Sequence, residues 1–386
     1  MVVRPSFRPP QSVRRPVAAL LLGAASLLLG QVAGADAPEG ALRSALPRAA
    51  LAQGRFARLE PVEHAGKTYY PYSFDGHVHT HHSPDAYNPP PEVLEEAERG
   101  GLSAVVITDH GSPRAKLDFR GYKGRVLPFV GQEIGGPFGH AVFWNVELKQ
   151  EVVPSATSLA QRAAFAHDHG GLIVLCHPGW WIHGREEDPM KWIAPEALQK
   201  GGVSGDIDAL ELWNGMYDKP LRRLITAWET ALEAGAYVPI VGNSDFHRLG
   251  AHRVGGPRNL VYCEQPAPER CLWDTVKAGR LVVTDGPSLM MSVNGAPLGS
   301  VAHAAAGSSL RVAVTSASPQ GGELRLFLGR ALVYTRKLGP HEPVDETWQL
   351  VAPSQSSYVR AEIVKPAVGE ASEQVLLLSN AIRLQR

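Results

Sequence analysis

Three cysteines in 386 residues are too few for a disulfide scaffold. Cys263 and Cys271 flank the segment EQPAPER and can either bridge in an oxidising compartment or stay as thiols. Cys176, directly before His177, reads as a buried, inert thiol at the end of a strand. The chain also lacks an excess of either charge, with Lys+Arg and Asp+Glu both numbering 38. Without a basic surplus or a polybasic run it has no footprint for duplex nucleic acid. It has no G-x-S-x-G elbow, no phosphate-cradling P-loop and no dinucleotide fingerprint, so covalent serine chemistry and nucleotide cofactors lack support. No internal repeat is visible.

What is present begins with an address. Arg4, Arg8, Arg14 and Arg15 precede the apolar run VAALLLGAASLLLGQVAG, which ends in the small-residue stretch AGADA. That pattern predicts a signal peptide over residues 1–37, removed near Ala35 or Ala37. The run is short for a membrane span, and no cysteine follows it to suggest lipoprotein processing. Removing residues 1–37 takes away four arginines and Asp36 and leaves a net charge of −3 (34 positive, 37 negative). The expected mature protein is therefore secreted or periplasmic, mildly acidic and not held in a membrane.

Residues 38–70 mix Ala, Arg and Pro with little periodicity and read as an N-terminal arm. From Tyr72 onward extended runs alternate with helical ones. YSFDGHVH, LSAVVITDH, VLPFVGQEI, HAVFWNV, LIVLCHP, IDALELWNG and YVPIVGNSDFH read as strands; PPEVLEEAERGG, SLAQRAAFAHDHGG and PLRRLITAWETALEAGA read as helices. Such alternation implies a parallel sheet with helical crossovers, and seven or eight strands favour a closed barrel. Nearly every apolar run ends in a potential ligand, and parallel α/β architectures gather their sites at the carboxyl ends of the strands. Beyond about Met290 the helical periodicity disappears. Short strand-like runs separated by Gly, Pro and Ser read as an antiparallel β-sandwich with no ligand cluster, whose expected role is structural.

FDGHVHTHHSPD, residues 74–85, is the densest cluster. His77 and His79 are spaced i, i+2, and in a strand they would share a face. His81 and His82 lie just past the pair and read as solvent-exposed loop residues. His64, His252, His303 and His341 occur in loop-like polar contexts and suggest nothing further.

The remaining set, His77, His79, Asp85, His110, Glu133, His140, His177, Asp245 and His247, sits in HVHTHHSPD, ITDH, GQEI followed by GH, CHP and NSDFH. In that order these motifs resemble the polymerase-and-histidinol-phosphatase (PHP) superfamily, and with the short tail SNAIRL they look most like its CehA/McbA branch, named for carbaryl hydrolysis. The resemblance covers roughly residues 70–386. It implies a distorted (β/α)7 barrel over 71–288 followed by a C-terminal β-sandwich domain over 289–386. It also implies two or three divalent ions, Mn, Fe or Zn. His77, His79, Glu133 and Asp245 would hold the first ion, with Glu133 bridging to a second held by His140 and His177. Asp85, His110 and His247 would hold a third, although Asp85 stands one residue later than the family spacing. Glu133, Asp245 and His247 would be catalytic, and Asp75, Asp109, Glu211 and Asn214 would orient the ligands.

Mixed imidazole and carboxylate ligands suit Mn, Fe(II) or Zn without choosing between them. Ions sharing a carboxylate lower the pKa of a bound water and neutralise a developing oxyanion, so hydrolysis of a small-molecule substrate is expected. The superfamily's habit favours a phosphoesterase (EC 3.1). The branch resemblance offers a carbamate, amide or ester hydrolase instead, and a non-catalytic metal-binding module is the third reading. Candidate substrate contacts are His183, Arg185, Lys219 and Arg248, with Arg222 also nearby. Trp180, Trp181 and Trp213 would instead shape an apolar pocket for an aryl ester. The sequence implies no oligomeric state.

Overall fold

A computed structural model describes residues 59–119, 122–136, 139–146, 158–178, 207–216, 221–266, 268–369 and 371–386. All of them fall within one compact unit, Leu46–Arg386. The expected signal peptide, most of the expected arm, and Trp180, Trp181, His183, Arg185 and Lys219 lie outside the described residues. The fold is mixed α/β, with large sheets and few helices among the described residues.

The first strands are β1 (Val62–His64) and β2 (Lys67–Val78), paired antiparallel. Ala65 and Gly66 between them both take positive φ, as a tight hairpin turn requires. Strand pairing thus extends into the segment read from sequence as an arm. Every residue of β2 from Pro71 onward is buried, because the strand runs through the middle of the main sheet. β3 (Ala104–Ile107) and β4 (Leu127–Val130) add to it in parallel. The crossover helix α1 (Pro90–Arg99) begins on proline, buries Val93, Leu94 and Ala97, and is followed by Gly100 and a left-handed Gly101. A short helix, α2 (Ala115–Asp118), follows β3.

A second sheet runs in chain order through β5 (Gln132–Gly136), β6 (Gly139–Trp144), β7 (Leu172–Cys176), β8 (Ala209–Asn214) and β9 (Ile240–Asn243). Helix α3 (Leu159–Asp168) starts at a Ser158/Gln161 capping box. Helix α4 (Leu221–Glu233) buries Leu221, Leu224, Ile225, Trp228, Ala231 and Leu232 at helical spacing. The expected all-parallel arrangement holds for β7, β8 and β9. It fails for β5, β6 and β7, which are antiparallel. Only two residues separate β5 from β6, too few for a crossover. Isolated bridges Val78↔Phe246 and His110↔Glu133 tie this sheet to the first one.

β10 (Arg258–Cys263), helix α5 (Pro268–Lys277) and β11 (Leu281–Thr284) follow, and a Cys263–Cys271 disulfide joins β10 to α5. The chain continues through β12 (Ser288–Val293), β13 (Ala296–Pro297), β14 (Val301–His303), β15 (Ser309–Ala317), β16 (Gly322–Leu328), β17 (Ala331–Leu338), β18 (Pro343–Val351), β19 (Ser357–Lys365), β20 (Gln374–Ser379) and β21 (Ile382–Gln385). The main sheet runs β14-β21-β19-β20-β11-β10-β2-β3-β4, so strands from both sides of residue 289 are hydrogen-bonded in it without a break. A four-stranded sheet, β13-β12-β15-β18, packs its apolar residues, including Met291, Val312 and Val314, into one core with Leu326, Ile363 and Leu377 of the main sheet. Among the described residues no helix is long and apolar enough to cross a membrane.

Candidate metal centre

His77 and His79 project from the end of β2 and are fully buried, with their Nε2 atoms 3.1 Å apart. The preceding Gly76 has no room for a side chain, because a Cβ there would strike the Trp144 ring. The Gly76 N–H donates to Asn243 Oδ1 (2.8 Å), and its carbonyl accepts from Trp144 Nε1 (2.7 Å). Glu133, second in β5, brings Oε2 to 3.3 Å from His77 Nε2 and 3.1 Å from His79 Nε2. Its other oxygen, Oε1, faces His140 Nδ1 at 2.6 Å and His177 Nε2 at 3.0 Å. Asp245, just past β9, places Oδ1 at 3.3 Å from His77 Nε2 and 3.5 Å from His79 Nε2.

His110 and His247 flank the mouth. His110 Nδ1 is 3.2 Å from Glu133 Oε2 and its Nε2 is 3.2 Å from Asp85 Oδ2. His247 Nε2 is 3.6 Å from that same Asp85 oxygen. All nine candidate ligands thus converge on one place. Sets of three or four, among them His77/His79/Asp245 and His79/Asp85/His110/His247, have ligand atoms within 4.8 Å of one another.

Other buried groups hold these side chains in position. Glu211 Oε2 meets His77 Nδ1 at 3.0 Å, while its Oε1 accepts from the His177 N–H (3.1 Å) and from Asn214 Nδ2 (2.7 Å). Asn214 Nδ2 also reaches Asp245 Oδ2 at 3.2 Å. Asp75 accepts from the backbone N–H groups of His77, Ser244 and Gly255, which ties β2 to the segment carrying Asp245. Its burial raises its pKa to about 6. Asp109 accepts from Thr80 N, Thr80 Oγ1 and Ser83 Oγ, and Ser83 Oγ lies 2.9 Å from His79 Nδ1. His177 and Asp245 both have positive φ, 28° and 51°. Neither residue type adopts that conformation without cost, and such strain concentrates at functional sites.

The centre is electrostatically set for positive charge. Burial opposes ionisation of Glu133 and Asp245, yet the surrounding imidazoles, His77 foremost, hold both carboxyls well below the usual range. Burial would lower His77 and His79, but Asp245 and Glu133, with Glu211 also acting on His77, outweigh it and raise His79 to about 9 and His77 well above its ordinary value. Burial, with neighbouring His79, pushes His110 and His247 down and keeps them neutral, the form that ligates metal. Burial and nearby carboxylates push the Cys176 thiol up, so it stays protonated and donates toward Glu133 Oε1 (3.5 Å).

A divalent cation fits these residues. Asp245 Oδ1 is buried and has no hydrogen-bond partner among the described residues, yet ring nitrogens crowd it on several sides. A buried carboxylate oxygen without a donor is costly unless a cation faces it.

The open side of the centre is a cavity of about 290 Å³, lined by several of the ligands and by Tyr87, Met216, Arg248, Ala251 and His252. Arg248 lies over the Tyr87 ring, 5.7 Å from its centroid. Arg222 is not there, because Glu362 and Glu373 hold its guanidinium. Trp213 packs into the hydrophobic core and does not line the cavity. His81 and His82 stand apart from the central cluster. Sequence reasoning missed Ser83, Thr80, Asn243, Tyr87 and His252; of these Thr80 and Ser83 carried a signal by lying inside the HVHTHHSPD motif, and Asn243 by opening NSDFH.

The PHP domain family model matches residues 75–240. Among solved structures, a two-domain protein of Bacteroides vulgatus containing a predicted PHP-like metal-dependent phosphoesterase is 14% identical, over 84% of this chain and 99% of that one, with a TM-score of 0.44. A Bifidobacterium adolescentis protein assigned to the metal-dependent phosphoesterases is 17% identical over 47% of this chain and 90% of that one (TM-score 0.35). An amidohydrolase from Chromobacterium violaceum, with bound sulfate and no metal, is 16% identical over 47% of this chain and 89% of that one (TM-score 0.36). Among curated proteins no sequence matches this chain.

Proposed function

We propose that this chain is an exported, metal-dependent hydrolase of the PHP type whose substrates are phosphate esters. The observation that carries the reading is Glu133, which directs one oxygen to His77 and His79 and the other to His140 and His177. A carboxylate so placed suits two neighbouring ions: His77, His79 and Asp245 would hold one and His140 and His177 the other. Asp85, His110 and His247 would hold a third. Divalent ions bound there supply a water nucleophile at neutral pH and neutralise charge developing on the ester.

The chain's own groups do the rest. Glu211 fixes the His77 ring through Nδ1, so that Nε2 faces the carboxylates. Asp109 and Ser83 do the same for His79. Arg248, on the wall of the cavity, is suited to the non-bridging oxygens of a phosphate. The parallel set β2-β3-β4, continuing into β5, and the set β6 to β9 support closure into a distorted seven-stranded barrel. The Val78↔Phe246 and His110↔Glu133 bridges sit at its two seams. The shared core of the four-stranded sheet and the main sheet supports a C-terminal β-sandwich.

The exposed Tyr87 ring and Met216 on the same wall favour one second reading, an aryl carbamate or carboxyl ester as substrate. kcat/KM on an aryl phosphate and on an aryl acetate or carbamate, with Mn and Zn each supplied, separates the two. A tenfold advantage for the carboxyl substrate, about 1.4 kcal/mol in transition-state stabilisation, would replace the phosphoesterase reading. Export is tested by N-terminal sequencing, which should start near Asp36 or Pro38; intact Met1 in the cytosol would sink it.

A further inference from the structure

Three donor groups meet at the surface where the proposed reaction uses none of them. His81 and His82 follow the β2 histidines on the loop toward α1, and Asp118 ends α2. One ligand atom from each lies within 4.8 Å of the other two. His82 Nε2 is 2.6 Å from Asp118 Oδ2, and the two imidazole rings meet edge to face with centroids 4.3 Å apart. Adjacent residues of an extended chain point to opposite sides. Here a turn closed by Ser83 N donating to Thr80 O (2.9 Å) lets both rings reach the same carboxylate. The turn is held by the His81 N–H donating to Asn88 O (2.9 Å) and by Thr80 Oγ1 donating to Asp109 (2.8 Å). The group is open to water, with the His82 side chain 19% and Asp118 36% exposed.

We propose that His81, His82 and Asp118 form a separate, solvent-facing site for a borderline divalent transition ion such as Zn(II), Ni(II) or Cu(II). Two imidazoles and one carboxylate suit those ions, whereas Mg and Ca favour oxygen-only sets. Donors about 2.0–2.1 Å from a tetrahedral ion stand roughly 3.3 Å apart, so a small rotation of the exposed rings completes the site and leaves one position for water. With three protein ligands in open solvent, the ion exchanges readily. It would cross-link α2 to the loop carrying Asp85, the residue that faces His110 and His247. A plain ion pair between His82 and Asp118 would not involve His81 and would gain nothing from added metal.

The test uses the full chain with its central cluster loaded and free metal removed. Zn(II) is titrated calorimetrically into the wild type and into His81→Ala, His82→Ala and Asp118→Asn, each checked for folding by circular dichroism. The wild type should take up one more equivalent than any variant, with the rest of the isotherm unchanged. One equivalent of Cu(II) should give an EPR pattern of two coordinated nitrogens in the wild type and one in His81→Ala. Indistinguishable Zn(II) titrations for wild type and His81→Ala overturn the proposal, whatever His82→Ala and Asp118→Asn do. So does a Cu(II) spectrum that His81→Ala leaves unchanged.

Discussion

Glu211 Oε2 stands 3.0 Å from Nδ1 of His77, with both side chains fully buried, and this fixes which nitrogen of that ring faces Glu133 and Asp245. Removing such a partner typically costs 10–100-fold in metal affinity or activity. Glu211→Ala is expected to fall in that range, and Glu211→Gln, which keeps an acceptor for Nδ1–H, should lose less. Competition with a chelator measures it. Wild-type affinity in the alanine variant would remove Glu211 from the account.

Asp245→Asn should release most of the tightly bound metal and lower activity by more than the roughly 10–100-fold expected for a residue that merely orients ligands. A neutral amide ligates weakly, and the orphaned Oδ1 would lose its negative charge. Metal analysis after dialysis checks this. Unchanged stoichiometry would contradict the assignment.

Arg248→Ala should reduce kcat/KM on an aryl phosphate by about 10–100-fold, in line with the ~1.5–3 kcal/mol of a charged hydrogen bond. An aryl acetate, with no anionic oxygens to hold, should be hydrolysed nearly as before. Equal losses on both substrates would mean that Arg248 shapes the cavity rather than binding phosphate.

The Cys263–Cys271 disulfide closes a short loop, with a sequence separation of 8. Chain-entropy arguments assign such a loop about 2–3 kcal/mol. Cys271→Ser should lower the free energy of unfolding by that amount in urea, and reductant should affect the wild type but not the variant.

His64 is buried between Thr315 Oγ1 (3.0 Å) and Ser292 Oγ (2.9 Å), and burial lowers its pKa. The unfolded chain therefore takes up a proton near pH 6.5 that the folded chain refuses. Stability is full above that value and falls as the pH drops through it, levelling off below the folded pKa. The difference in unfolding free energy between wild type and His64→Gln should change between pH 7.5 and 5.5, with the wild type losing more. Parallel pH profiles would show that His64 does not titrate between the two states.

The sequence by itself marked the candidate metal ligands and the strand ends that carry them. An i, i+2 histidine pair closing an apolar run, and ligands repeated at the ends of later runs, are local patterns that survive without coordinates. Packing decided what lies across long separations. The antiparallel turn at β5 and β6 replaces an expected crossover because pairing partners are chosen by sheet closure. Trp213, adjacent to a site residue in sequence, alternates into the core instead of the cavity. Arg222 is taken by Glu362, 140 residues away. His64 and His252, both set in plain polar stretches, became a buried strand residue and a cavity wall. Periodicity records which face a side chain takes relative to its neighbours in the chain. What that face meets depends on contacts between residues far apart in sequence, and only the folded chain brings those together.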